Sequence, residues 1–559
     1  MRTRLLLSAL LLGAPTLGAA EAPLAAIDWL KPGPAVSGVP GVSAAMPLPE
    51  APATGTLRVP HPLPESGTSS RAFPGRSSPP SSSPSSSPGA LPKDEPPIAR
   101  SGTSPAVESA TLDAPSAEAA GLLSTAMTGL PRSLWSASDA AQLAPLIARV
   151  EPAVPALSAQ MLTLLLAEAD APQGKPSLLV ARIDRLIEEG AVDAALALVE
   201  QAGGASSPEI FRRWLDLALI AGDDSPPCAT LMRQPYLSDD IPTRIYCDAR
   251  IGNWEHSVTV FGSAEALGQI DGRDAELLAR HLDPELVDAS APLNPPARPT
   301  PLEFRLFESI GEALPTQPLP RMFAAADLSG NRGWRAQILS AERLARRGTL
   351  SGNRLLGIYT DREPAASGGV WDRVSAIQDL EAALEGRRSD LIGPALIAAW
   401  PQMRSAGLLV PFAELYAPRL SGLALEGRAA GLARRAALLS PDYEAAARAM
   451  APQSGLMETV AAVAKGDTPE AMPRSPAAQA VAEAWRPDAE VPPELETLLQ
   501  EGKLGETVLR AIALFGSGAE GNHADLTGAL ATLRRVGLED TARRAAIQQL
   551  ILADEGAPL

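Results

Sequence analysis

From about residue 121 to the end of the chain, apolar residues recur at intervals of three and four positions, and charged or small residues lie between them. This periodicity is typical of amphipathic helices that bury one face. Clear examples are the stretches 158–169, 177–187 and 334–345. Strand-like runs, in which Val, Ile and Thr alternate with polar residues, are nearly absent. The pattern therefore predicts an all-α protein.

Turns rich in Gly, Pro and Asp separate the predicted helices, and three of them read Gly-x-x-acid-x-small, at 190–195, 252–257 and 537–542. A glycine can end one helix in a left-handed conformation, and an acidic residue in the first turn of the next helix lies near its positive end. These turns predict antiparallel helix hairpins, and they resemble the turns of tetratricopeptide-like repeat proteins. We expect an irregular α-solenoid of helix hairpins, in two helical regions, 121–290 and 291–559.

The first 20 residues are predicted to be a secretory signal peptide. Arg2 and Arg4 precede an apolar stretch at 5–17, and small residues allow cleavage after Ala20 or Ala22. The apolar stretch is well short of the ~20 residues that a membrane-spanning helix needs, and no later stretch is apolar for long enough. We therefore expect a soluble protein, exported to the periplasm, without a membrane span.

Residues 21–120 are predicted to be a disordered linker, because they hold 20 of the 55 prolines and several runs of serine. Such a composition cannot bury enough apolar surface to offset the entropy of the chain. One apolar and aromatic island, 24–30, lies near its start. Ile27, Trp29 and Leu30 are the candidates for a short motif that docks on another envelope protein. The alternative is a leftover apolar patch beside the cleavage site.

Acidic residues outnumber basic ones, with Asp+Glu 65 against Lys+Arg 48, so the formal net charge is −17. A protein of this charge repels phosphate backbones and anionic lipid surfaces in its overall field. The composition therefore argues against nucleic-acid binding.

The two cysteines, Cys228 and Cys247, are 19 positions apart in a chain that is predicted to be exported. Oxidising compartments favour the pairing of cysteines, so we predict a disulfide between them. A zinc site would need further thiol or imidazole ligands nearby. A redox site would favour a Cys-x-x-Cys spacing, which the sequence lacks.

The common catalytic and cofactor-binding motifs are missing from the sequence. The four histidines are widely scattered, and no His-Glu-x-x-His motif, Gly-x-Ser-x-Gly motif or phosphate-binding loop occurs. We therefore expect no metal ion, no cofactor and no enzymatic activity.

The alternative is a cell-wall (peptidoglycan) lytic enzyme or its noncatalytic helical module. The pair Glu308-Ser309 resembles the Glu-Ser pair of lytic transglycosylases, a class that includes periplasmic proteins with long helical solenoids. The rest of that family's motif does not follow in this chain. Glu308 also fits the solvated face of a helix, together with Glu303 and Glu312.

The segment Tyr359 to Arg373 is the most unusual part of the predicted helical region, because it mixes glycines with Trp, Arg and acidic residues. Loops of this kind often form binding surfaces. The candidate partner-binding residues of this segment are Tyr359, Arg362, Trp371 and Arg373.

A structural interpretation of the same segment is also open. Ser367 fits the N-cap of the following helix, and Trp371 fits packing against the preceding helix. Arg373 fits an ion pair with Asp372 or Asp361. The sequence leaves both interpretations open.

Four parts of the sequence resemble a group of uncharacterised exported Ala/Pro-rich α-helical proteins of Gram-negative bacteria: the predicted signal peptide, the island at 27–30, and the stretches 129–135 and 355–373. Some of that group carry the label antifreeze glycopeptide, but the Ala-Ala-Thr repeat of antifreeze glycopeptides does not occur in this chain. The resemblance implies export and a helical body. The sequence thus predicts a periplasmic, non-enzymatic scaffold that binds unknown envelope proteins through a superhelical surface, with cell-wall association as an open alternative.

Overall fold

A computed structural model describes residues 116–558, apart from Gln173, Ser290, Gly330 and Asn331. In these residues all regular structure is helical, except for one isolated bridge between Leu123 and Ala167. The predicted all-α class is therefore confirmed. The predicted signal peptide and nearly all of the predicted linker lie outside the described residues.

The described residues form twenty-five α-helices and four short 3-10 helices. In chain order, the first eleven α-helices are α1 (Thr125–Thr128), α2 (Ala140–Arg149), α3 (Pro155–Leu166), α4 (Leu178–Glu189), α5 (Val192–Gln201), α6 (Pro208–Ala221), α7 (Ser225–Arg233), α8 (Ile241–Arg250), α9 (Trp254–Ala266), α10 (Gly272–Leu282) and α11 (Glu285–Ala289). The next seven are α12 (Pro301–Ser309), α13 (Trp334–Ala345), α14 (Gly352–Tyr359), α15 (Val370–Glu385), α16 (Ser389–Ser405), α17 (Leu409–Leu420) and α18 (Gly427–Leu439). The last seven are α19 (Tyr443–Ala449), α20 (Leu456–Lys465), α21 (Pro476–Ala484), α22 (Pro493–Gln500), α23 (Leu504–Ala519), α24 (His523–Arg535) and α25 (Glu539–Glu555). The 3-10 helices are Ala117–Ala119, Arg132–Leu134, Pro235–Leu237 and Arg321–Ser329.

Several helices begin at a polar side chain that caps the first turn. Ser177, Ser207 and Asp240 each accept a hydrogen bond from a backbone N–H of α4, α6 and α8, respectively. At α12, Thr300 and Glu303 form a reciprocal capping box. These caps satisfy backbone N–H groups that have no partner inside the helix, so they fix where each helix begins.

The three predicted glycine turns each lie between two consecutive helices. Gly190, Gly252 and Gly537 have φ angles of 79°, 99° and 87°, and they separate α4 from α5, α8 from α9 and α24 from α25. In each case the acidic residue of the pattern lies in the first turn of the second helix. At Gly190 a Cβ atom would be strained by the positive φ and would also lie 2.6 Å from Leu344 Cδ2, so the side chain of Leu344 would have to shift. The predicted left-handed glycine and the acidic first turn of the next helix are therefore confirmed at all three places.

Helices that are distant in the sequence also pack together. α3 contacts α23 and α25, and α25 also contacts α18 and α20. Two hydrogen bonds join α3 to α25: Ala156 N donates to Gln548 Oε1 at 2.7 Å, and Thr541 Oγ1 donates to Gln160 Oε1 at 2.8 Å. In a linear solenoid each hairpin contacts only its neighbours. The described residues are therefore more closed than a linear stack of hairpins.

Helices on both sides of residue 290 also contact one another. α6 and α10 pack on α12, and α4 packs on the 3-10 helix Arg321–Ser329. All described residues belong to one compact unit. The apolar interior of this unit is continuous, and its largest fully buried side chains include Trp135, Trp400, Phe412 and Phe515.

A buried ionic cluster joins three parts of this unit. Glu189, at the end of α4, is hydrogen-bonded to Arg185 of the same helix, to Arg321 at 2.8 Å and to Arg347 at 2.7 and 2.9 Å. Burial alone would raise the pKa of Glu189, but the hydrogen bonds and charges of the arginines, with Arg347 foremost, hold that pKa below its usual value. The charged carboxylate thus fixes α4 against the 3-10 helix and the turn after α13.

Within the part of the chain that the structure describes, no helix is both long enough and apolar enough to cross a lipid bilayer.

Candidate functional site

Helix α9 presents an apolar stripe to solvent. Ile251, in the turn before α9, and Trp254 and Val258, in the helix, are 36%, 40% and 44% exposed. Phe261 continues the stripe and is partly buried. Within the helix, the spacing of four and three residues places Trp254, Val258 and Phe261 on one side. Ile251 lies at the end of α8, and Gly252 and Asn253 separate it from α9. We call Ile251, Trp254, Val258 and Phe261 the α9 face.

The α9 face is uncovered because α9 packs on one side only. Among the described helices, α9 contacts mainly α8 and α10. Ser257 and Ala264 are buried in that contact, and Ser257 Oγ donates to the carbonyl oxygen of Ile245 in α8 at 3.1 Å. The exposed acidic residues Glu255 and Glu265 border the α9 face on the same helix. Exposed apolar residues are ordinary on soluble proteins, so the α9 face is a candidate binding surface because of its position and its spacing along the helix.

Helix α8, on which α9 packs, is cross-linked to α7. Cys228 of α7 and Cys247 of α8 form the predicted disulfide, which is fully buried, with Cα atoms 4.7 Å apart. Close by, the buried carboxylate of Asp224 accepts hydrogen bonds from Tyr246 Oη and, at 2.6 Å, from Arg250 Nε. Burial, together with the charge of Asp224, raises the pKa of Tyr246 well above its usual value, so the phenol keeps its proton and donates a hydrogen bond to Asp224. α8 is thereby fixed to the start of α7.

His281 of α10 lies beside the α9 face. Its ring centroid is 6.2 Å from that of Trp254 and 5.4 Å from that of Tyr246, and its Nδ1 is 2.9 Å from Ser309 Oγ. Burial is the main cause that lowers the pKa of His281, so the imidazole is neutral at pH 7. A neutral histidine beside a serine hydroxyl is the minimal arrangement for nucleophilic catalysis. The scattered histidines of the sequence gave no sign of this pair.

Two features oppose catalysis by Ser309. Its Oγ donates to the carbonyl oxygen of Leu306 at 2.8 Å, so the hydroxyl proton is not directed at His281. Ser309 is also the last residue of α12, where the partial negative charge of the helix end destabilises a developing alkoxide. The pair therefore serves to pack α10 against α12.

Glu308, the candidate for cell-wall cleavage, is held in ion pairs. Its carboxylate oxygens lie 2.5 Å from Arg305 Nη1 and 3.4 Å from Arg332 Nη2. Glu303 accepts from the backbone N–H of its own helix cap at 2.8 Å, and Glu312 accepts from the backbone N–H of residue 293 at 2.8 Å. The interpretation of these three glutamates as a solvated helix face is therefore wrong, because the side chains of Glu303, Glu308 and Glu312 are only 12%, 23% and 21% exposed and Glu312 lies beyond the end of α12.

Two of the four candidates in the unusual loop meet on a buried carboxylate that was not predicted from the sequence. Glu342 of α13 is fully buried. Arg373 donates to it from Nε at 2.7 Å and from Nη2 at 2.8 Å, and Tyr359 Oη donates to it at 2.9 Å. Burial, with the charge of Glu342, raises the pKa of Tyr359 well above its usual value. A signal did exist: Glu342 lies four residues after Ile338, on the apolar stripe of α13.

The other two candidates lie apart from this carboxylate. Trp371 packs on Trp334, the first residue of α13, with ring centroids 5.1 Å apart, whereas the structural interpretation placed it on the preceding helix, which is α14. Arg362 is exposed and pairs with the neighbouring Asp361, whose Oδ2 is 3.0 Å from Arg362 Nε. Gln378 of α15 donates to the carbonyl oxygen of Arg362 at 2.7 Å and so holds the start of the loop. Of the four candidates, Arg362 has the most accessible side chain.

The other details of the structural interpretation are wrong. Gly369, with a φ of 59°, is the N-cap of α15 in place of Ser367, because that left-handed conformation suits glycine. Arg373 pairs with Glu342 in place of the two neighbouring aspartates, because a buried carboxylate needs a charged partner whereas exposed aspartates are solvated.

Two concave regions lie elsewhere on the described residues. A groove of about 950 Å³ runs between α14 and α15, and its wall includes Asp361, Glu363 and Glu385. A smaller cavity of about 410 Å³ lies where residues 152–155 meet Arg347 and the turn between α16 and α17. Among the described side chains, no group of His, Cys, Asp and Glu is arranged to hold a metal ion.

The docking island with Ile27, Trp29 and Leu30 lies outside the described residues. No model of a protein family, no curated protein and no solved structure matches this chain. Among the described residues, the α9 face is an exposed apolar stripe on a helix that packs against the disulfide-linked α8.

Proposed function

We propose that this chain is an exported, non-enzymatic scaffold that binds another protein through the α9 face. The observation that carries the proposal is the exposed stripe of Ile251, Trp254 and Val258, held in place by the disulfide and by the Asp224 hydrogen bonds. Helices with a stripe of this spacing bury it against another helix or in a groove. The partner is therefore a protein element that offers apolar side chains in return.

The size of the stripe sets the expected strength of binding. The exposed parts of these three side chains amount to about 200 Å² of apolar surface, which contributes at most about 5 kcal/mol when it is removed from water. Costs of association reduce that figure, and contacts outside the stripe add to it. An interface centred on Trp254 is consistent with the role of tryptophan as an anchor in protein contacts. We expect a reversible complex.

The experiment places a photoreactive amino acid at position 258 of the chain in living cells of its source. The control places the same amino acid at Leu423, an exposed aliphatic residue outside the α9 face. We expect a discrete adduct with one protein from position 258 and none from position 423. The protein identified in this way must bind the purified chain, and Trp254→Ser must weaken that binding at least tenfold. Equal adducts from both positions, or binding that Trp254→Ser leaves unchanged, would contradict the proposal.

A further inference from the structure

We propose that the island at the start of the predicted mature chain, Leu24–Leu30, docks on the α9 face of its own chain. This inference deepens the proposed function and rests on it, because it makes the island a competitor for the surface that the partner binds. The partner must then displace the island before it can bind.

The first reason is that the α9 face and the island are both apolar. Trp254 and Val258 are exposed, and no described helix covers them. Residues 23–115, which lie outside the described part, are rich in proline and serine, and their most apolar stretch is the island with Ile27, Trp29 and Leu30. The island therefore has the apolar side chains that the α9 face would bury.

The second reason is the length of chain that connects the two surfaces. About 85 residues separate Leu30 from Ser116, where the described residues begin. A flexible chain of that length has an average end-to-end distance of about 50 Å. A globular body of about 440 residues has a radius of gyration of about 22 Å. The predicted linker thus reaches any position on the surface of the body, including α9.

The third reason is that the island and the α9 face belong to one chain, so a weak contact is enough to keep the island docked. A linker of this kind holds the island at an effective concentration of about 1 mM. An intrinsic Kd of about 0.1 mM, which corresponds to about 5.5 kcal/mol, then keeps about nine chains in ten docked. The α9 face supplies at most about 5 kcal/mol of this before the costs of association, and the burial of Ile27, Trp29 and Leu30 of the island must supply the rest.

The test is an intramolecular cross-link in the purified chain of residues 23–559. A benzophenone amino acid replaces Val258, and the same amino acid at Leu423 is the control. We expect a cross-link from position 258 to the peptide that contains Leu24–Leu30, and none from position 423. The double variant Ile27→Ser, Trp29→Ser should lower the yield at least fivefold, because the linker and the body are unchanged in it.

An equal mixture of chains with natural and heavy nitrogen shows where the cross-link forms. Cross-linked peptides of a single isotopic composition support docking within one chain, whereas mixed peptides would assign the α9 face to a second copy and overturn the inference. A cross-link to any other segment, or none at all, would also overturn it. The two proposals can fail separately. If the cellular experiment finds a partner but the internal cross-link does not form, only the docking of the island is refuted. If the internal cross-link forms but no partner is found in cells, only the proposed function is refuted.

Discussion

The buried carboxylate of Glu342 predicts a large and specific effect at Arg373. The substitution Arg373→Leu removes the two hydrogen bonds at 2.7 and 2.8 Å and leaves the fully buried carboxylate with Tyr359 and with a longer contact to Arg346 at 3.5 Å. Removing one partner of a buried ion pair costs about 3–5 kcal/mol. For a body of about 440 residues that unfolds as one unit, each kcal/mol corresponds to about 1 °C in Tm.

We therefore expect Arg373→Leu to lower Tm by about 3–5 °C, measured by circular dichroism during heating. The matched control is Arg362→Leu in the same loop, whose side chain is exposed and pairs only with Asp361. That variant should change the free energy of unfolding by less than about 0.5 kcal/mol.

The double variant Glu342→Gln, Arg373→Met separates a lost ion pair from lost packing. It removes both charges, and the glutamine can still accept the hydrogen bond from Tyr359, so most of the stability should return. The reasoning is refuted if Arg373→Leu is as stable as Arg362→Leu, or if the double variant is no more stable than Arg373→Leu.

Three further predictions concern other parts of the molecule. The variant Cys228→Ala, Cys247→Ala should lower the free energy of unfolding by about 3 kcal/mol, as expected for a loop closed over 19 positions, in denaturant titrations compared with the oxidised chain. Burial raises the pKa of Asp216 to about 6, so the folded state binds its proton more tightly than the unfolded state, and stability falls as the pH rises from about 4 to about 6. The side chain of Asp216 is 29% exposed, so solvent screens part of this effect. We expect Asp216→Asn to stabilise the chain by about 1–2 kcal/mol at pH 7.5 and not at all below pH 4. Equal gains in stability at both pH values would contradict this prediction. Purified protein should release no soluble fragments from peptidoglycan, and release of anhydromuropeptides that is lost in Glu308→Gln would instead support the lytic enzyme.

The local features of the fold were predictable where a short pattern determines the conformation. The glycines at 190, 252 and 537 end helices because they adopt positive φ, and the acidic residues after them favour the start of the next helix. The disulfide followed from two cysteines in a chain that carries a predicted export signal.

The long-range packing was not predictable, because no local pattern specifies it. The contact of α3 with α25 depends on buried amide side chains such as Gln548, whose partner is the backbone of Ala156 almost 400 positions away. Nothing in the sequence near either residue indicates the other. The same holds for Glu189, which meets Arg321 and Arg347 only after the chain has folded back.

The α9 face shows why exposure is harder to predict than helicity. Large aromatic side chains are usually buried, so the sequence alone favours an interior position for Trp254. The periodicity of α9 identifies an apolar side, but it does not tell whether another helix covers that side. The structure leaves Trp254 and Val258 exposed because, among the described helices, α9 packs mainly on α8 and α10, and neither of them covers these two side chains.

The central claim is that the α9 face serves binding and not folding. The most direct test measures, in cells, the yield of the partner adduct from a photoreactive group at position 258, with Trp254 intact and with Trp254→Ser. We predict a loss of at least tenfold in the variant while its Tm stays within about 2 °C of the parent chain, as for a surface substitution. An unchanged yield, or a loss of adduct that merely follows unfolding of the variant, would contradict the claim.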